Sequence, residues 1–184
     1  MTGPPAPAEP TVRVWDPLVR VAHWVLVVAI VAAWLTRHGG GEWHEYLGYL
    51  SLIVVAVRVL WGWWGPGRAR FSDFLQAPKR TFEYAQQMLR GQEPRHLGHN
   101  PLGGWMVVAL LGTVTLVALS GWLYTTDRFW GVAWVEGVHR YATNVLLTLA
   151  ALHVFGVLYA SARHRENLVG AMLHGRKRRI EHSS

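Results

Sequence analysis

Four apolar runs, at residues 18–35, 46–64, 102–124 and 138–162, leave this chain few folds to choose from. Each falls within the roughly 17–25 residues that an α-helix needs to cross a hydrocarbon core. In lipid every backbone N–H and C=O must be paired inside the segment, so runs of this kind become helices. The chain is 51% hydrophobic and only 16% charged, with 11 Trp among 184 residues, which is not the composition of a soluble domain. The expected fold class is all-α, an integral membrane four-helix bundle.

The basic residues orient that bundle. Arg13 and Arg20 precede the first run, six Lys/Arg from Arg68 to Arg95 separate the second from the third, and six from Arg163 to Arg179 follow the fourth. The opposite side holds Arg37, Arg128 and, at a helix boundary, Arg140. This bias puts both termini and the 65–99 loop in the cytoplasm, as in a multi-pass protein of a bacterial inner membrane. The net charge of +7 therefore reads as membrane topology, and no nucleic-acid partner is expected. Cysteine is absent, which excludes disulfides, iron–sulfur clusters and covalently attached c-type haem.

Residues 1–12 are Pro-rich and read as a disordered leader, residues 13–175 as the membrane domain and residues 176–184 as a basic cytoplasmic tail lying on anionic lipid. The leader and the His23–Trp24 pair argue against a cleaved signal peptide. Asp16–Pro17 and Asn100–Pro101 each read as an N-cap followed by proline in the first helical turn. Aromatic and basic residues over about 71–90 suit an interfacial helix on the lipid surface. Phe129, Trp130 and Trp134 suit an outer aromatic belt.

Histidine carries the chemistry. His139 and His153 lie fourteen residues apart in the fourth run. On a helix that is a climb of about 21 Å with a return to within roughly 40° of the same face. Topology supplies a partner at each level: His23 and His153 both lie towards the cytoplasmic half, whereas His44 and His139 open their helices on the outer side. Imidazole is an axial ligand of haem iron, so the bundle is expected to enclose two b-type haems, one held by His23 and His153 and one by His44 and His139. Bis-imidazole ligation leaves no open position on iron and suits electron transfer. Gly48, one turn after His44, leaves room for a flat ligand. Arg58 in the second span needs an anion, which a haem propionate or a lipid phosphate can supply.

Plainer readings compete. A lone membrane histidine is often a hydrogen-bonding helix contact. Zinc fits poorly, since two ligands at each of two separate depths do not complete a site. A proton relay calls for buried carboxylates, and the four spans contain no Asp or Glu in their interiors. His38, His96, His164, His174 and His182 read as loop or tail residues.

The ordered set of WDPLVRVAHW around His23, HEYLGYLSLIVVAVRVLWG from His44 through Arg58, GHNPLGG around His99, VHRYATNVLLTLAALHVFG and ENLVGAMLHGRKR resembles the bacterial di-haem cytochrome b561 superfamily. That superfamily includes the cytochrome b subunits of nickel–iron hydrogenases and formate dehydrogenases. The resemblance runs from Val14 to Arg178 and implies the same two histidine pairs. It further implies exchange of electrons between the membrane quinone pool, ubiquinone or menaquinone, and a periplasmic redox protein or oxidoreductase subunit. Quinone chemistry is then expected beside His153 and Asn100, with Asn100 and His99 bonding a quinone carbonyl, Arg58 an inner propionate and Arg140 an outer one. No residue is expected to be catalytic in its own right. Two alternatives stand beside this: a stand-alone superoxide:quinone oxidoreductase, and a membrane anchor subunit of a larger oxidoreductase.

Overall fold

Capping chemistry sets where the helices begin. In the computed structural model, which describes residues 11–178, Asp16 accepts hydrogen bonds from the N–H groups of Leu18 and Val19 and starts helix α1 (Pro17–Thr36). Gly41, with φ of +51°, turns the chain into α2 (Glu42–Trp64), whose first turn carries Glu42 and Glu45 against the positive end of the helix dipole. Phe71–Phe74 forms the single turn α3 and Pro78–Leu89 forms α4. Asn100 caps α5 (Pro101–Tyr124) by accepting from Gly103 N–H at 2.7 Å. Helix α6 (Ala133–His164) ends on Arg165 in the left-handed conformation and is followed by α7 (Leu168–His174).

Helices α1, α2, α5 and α6 are the four long and apolar enough to cross a membrane, at the positions the hydropathy runs indicate. Exposed tryptophans gather near their ends, Trp63 and Trp64 at one side and Trp43, Trp130 and Trp134 at the other, as interfacial belts do. α1 packs on α2, α2 on α5, and α5 on α6, while α6 makes at most a glancing backbone approach to α1 or α2. In the middle, side chains close this seam: Val55, Val114 and Leu146 are buried together, with Leu26 and Ile30 of α1 packed against them.

At the end of the bundle that holds both chain ends, β1 (Thr11–Arg13) and β2 (Arg176–Arg178) pair antiparallel, Val12 opposite Lys177. This ribbon corrects three expectations. The fold is mostly helical rather than wholly so. Thr11 and Val12 belong to a strand; the rest of the expected leader, residues 1–10, lies outside the described residues, as do residues 179–184 with His182. The start of the basic tail packs on protein: Lys177 is buried, with Nζ 3.7 Å from Glu166, and Arg95 bonds both Glu166 and the Arg178 carbonyl. Burial pushes the Lys177 ammonium below its ordinary pKa, and Glu166 opposes that shift. A run of cations looks solvated in sequence, and only a distant carboxylate brings one of them inside.

The interfacial segment is also divided. Leu75–Ala77 is extended before Pro78, so α3 turns inward while α4 carries the amphipathic face. Phe71 fits against Gly62 of α2, and the Phe74 carbonyl would stand 2.8 Å from a Cβ at Gly104 of α5. Those two glycines exist to admit α3.

Candidate functional site

Across the open seam, histidines of α1 and α2 face those of α6. The His44 and His139 ring centres are 6.2 Å apart, and so are those of His23 and His153. With metal–nitrogen bonds of about 2 Å on either side, that is the spacing two imidazoles need to share one metal ion. The ring planes cross at 80° and 60°, so neither pair is stacked. Along α6 the two levels are about 21 Å apart, with Leu146 midway.

The distal pair is the more fully oriented. His44 Nδ1 lies 2.9 Å from the Ala33 carbonyl in the last turn of α1, which also accepts from Thr36 Oγ1 at 3.3 Å. His139 Nδ1 lies 3.0 Å from the Val117 carbonyl and 3.3 Å from Ser120 Oγ. A carbonyl only accepts, so Nδ1 carries the hydrogen on both rings and Nε2 keeps its lone pair for a metal. Gly121 makes this approach possible: a Cβ there would stand 3.1 Å from His139 Cε1. Gly121→Val is expected to push the His139 ring off its carbonyl, and so to disturb a metal group held by the distal pair and not one held by the proximal pair, read in a reduced-minus-oxidised absorbance scan.

The proximal pair adjoins charge and aromatic walls. Arg58 is 5% exposed, its guanidinium carbon lies 5.2 Å from the Phe71 ring centre, and its buried Nη1 has no hydrogen-bond partner. Asp16, the carboxylate near the base of α2, is bound instead by Trp61 Nε1 at 3.1 Å and by its own helix. A buried guanidinium with an unpaired donor calls for an anion. His99 is wedged between Trp15 and Phe74, each ring centre 4.7 Å away, with a buried, unpartnered Nδ1. Burial, then the charges of Arg58 and Lys177, lowers its pKa to about 3 and keeps it neutral.

These features fit a planar iron cofactor at each level, with an anionic side group at the proximal one. The two ligand pairs are complete, the distal tautomers are set for ligation, and Arg58 offers an unpaired donor. Beside the histidines, a Cβ at Gly48 or Gly156 would meet no atom within 4 Å. Among the described residues no cluster of three or more His, Cys, Asp or Glu could hold a metal by protein ligands alone.

Two expected members do not join the sites. Arg140 is exposed and pairs with Glu136 at 3.7 Å, one residue and therefore about 100° around the helix from His139. Asn100 commits its side-chain oxygen to the Gly103 cap, a structural task at the start of α5. Sequence reading left unassigned the orienting groups Ala33 and Val117, which act through backbone atoms that no side-chain pattern reveals, and Trp15, whose contact depends on the terminal ribbon.

The sequence matches the family described as prokaryotic cytochrome b561 over residues 14–175. It is also similar to a protein of Bradyrhizobium diazoefficiens named "Probable Ni/Fe-hydrogenase B-type cytochrome subunit", 21% identical over 221 aligned residues that cover 96% of this chain and 90% of that one. No solved structure matches.

Proposed function

The chain belongs to the prokaryotic cytochrome b561 family, bacterial integral membrane proteins of electron transfer that carry b-type haem, and from that premise we propose that it holds two haems and links an outer-side electron donor or acceptor to the membrane quinone pool. The observation that carries this reading is the repetition of one 6.2 Å imidazole spacing at two depths of the bundle. His44 and His139 hold the distal haem, and His23 and His153 the proximal one. When bound, the two haems supply one-electron centres at both depths, a path no single site provides.

The chain's own part is to hold, orient and insulate. The Ala33 and Val117 carbonyls fix the distal ligands, and Val55, Val114 and Leu146 exclude water between the levels. Arg58 neutralises a propionate of the proximal haem. His99, neutral and with a free Nδ1, meets a quinone carbonyl, while Asn100 fixes the start of the helix beside it. The positive-inside bias puts the proximal end in the cytoplasm and the protein in the inner membrane. The distal partner is an oxidoreductase subunit or periplasmic redox protein, the kind of assembly the Bradyrhizobium relative's name describes. The superoxide alternative would need a cationic outer funnel; Arg140 is paired with Glu136, and Arg128 lies over Phe129 at 5.6 Å.

The test is reduction of the oxidised protein by ubiquinol-1, followed in the haem absorbance. Wild type is expected to be reduced. His99→Leu is expected to slow this at least about tenfold with both haem spectra kept, since the quinone loses the group that positions it. A wild type that ubiquinol-1 does not reduce would sink the quinone reading.

A further inference from the structure

The membrane spans hold no carboxylate in their interiors, but the loop before α5 hides one. Glu93 has a side chain 1% exposed, with Arg163 Nε 3.1 Å from one oxygen, yet neither oxygen accepts a well-directed hydrogen bond. A buried carboxylate with free lone pairs can take up a proton and pass it on. Nothing in the packing of the bundle requires it there.

Its neighbours extend the path in both directions. Tyr84 of α4 is buried; burial first, and the Glu93 charge next, push its hydroxyl above the usual pKa. His96 packs edge-on against the Tyr84 ring at 5.4 Å, with Nε2 buried and unpartnered. Towards solvent, an open cavity of about 350 Å³ is lined by Tyr84 and His96 together with Glu83, Gln87 and Pro101. Towards the bundle, Pro101 at the start of α5 lines the same cavity as Tyr84, and His99 lies two residues before it. Three groups able to carry a proton therefore lie in the region between an open cavity and the start of α5.

We propose that Glu93, with Tyr84 and His96, is the proton port of the proximal quinone site. This rests on the quinone reading above. A quinone reduced there takes two electrons from the outer-side donor and two protons through the port. A quinol oxidised there gives up two electrons to the outer-side acceptor and releases two protons to cytoplasmic water by the same groups. Quinone exchange and water are thereby kept on different routes, lipid for one and the α4 cavity for the other.

The experiment mixes ubiquinol-1 with oxidised wild type, Glu93→Gln, Tyr84→Phe and Arg163→Gln, each shown to keep both haem spectra and full reduction by dithionite. Glu93→Gln and Tyr84→Phe are expected to slow haem reduction by ubiquinol-1 about a hundredfold, the scale of a lost acid–base group. Arg163→Gln breaks the same ion pair but keeps the acid, so it stays within about threefold of wild type. A carboxyl band in the redox-induced infrared difference spectrum is expected in wild type and absent in Glu93→Gln. Wild-type rates in Glu93→Gln, or equal slowing in Arg163→Gln with no carboxyl band in wild type, would overturn the port alone. A wild type that ubiquinol-1 does not reduce would overturn the quinone reading and the port with it.

Discussion

Replacing His153 by alanine is expected to lower haem content from about two per chain to about one, and His44→Ala to remove the other of the two. Each substitution takes one of the two facing imidazoles from its site. At the proximal level the seam between α1 and α6 has at most a glancing backbone approach to hold a haem by shape. At the distal level His44→Ala also removes one donor from the Ala33 carbonyl, which keeps the Thr36 hydroxyl at 3.3 Å. Because Val55, Val114 and Leu146 pack between the levels, loss of one haem leaves the other's spectrum in place. Haem per chain and the dithionite-reduced spectrum read both outcomes. If His44→Ala and His153→Ala deplete the same haem, the two-level pairing is wrong.

Glu166→Ala is expected to detach the terminal ribbon and cost about 3–5 kcal/mol, the scale for removing one partner of a buried ion pair. Glu166 is 6% exposed in its side chain and is the only carboxylate paired with buried Lys177 and half-buried Arg95 among the described residues. Without it, two cations face each other with the Lys177 ammonium already held below its ordinary pKa by burial. The inexpensive escape is for β2 to leave β1 and carry Lys177 into water. Trp15, which packs on His99, then loses the Lys177 ammonium above its ring at 5.9 Å. Faster proteolysis after the Arg and Lys residues of β2, with a lowered midpoint of thermal unfolding, measures this. An unchanged midpoint would place the ribbon outside the stability of the bundle. Glu166→Gln keeps the shape and separates charge from packing.

The membrane helices were legible because lipid imposes a local rule. A segment must satisfy its own backbone, so apolarity sustained over about 17–25 residues suffices to mark it. Caps were legible for the same reason, since Asp16 and Asn100 act on N–H groups two or three residues away. The histidine levels followed from helical rise and the alternation of direction. What could not be read were pairings between distant segments with no periodic signature: Lys177 with Glu166, Trp15 with His99, His139 with the Val117 carbonyl. Arg140 shows the converse, because its spacing beside His139 suggested a site that rotation about the helix denies it.

By itself, then, the sequence determined that this chain spans a membrane four times and carries imidazoles at two depths, because backbone satisfaction in lipid and the 1.5 Å rise per residue act within a single segment. Only the tertiary structure decided which nitrogen each distal histidine presents, why Arg58 stands without a partner, and that Glu93 is buried. Those depend on which surfaces of separate helices and loops come to lie against one another, and burial of a polar group is a property of its neighbours rather than of its residue type.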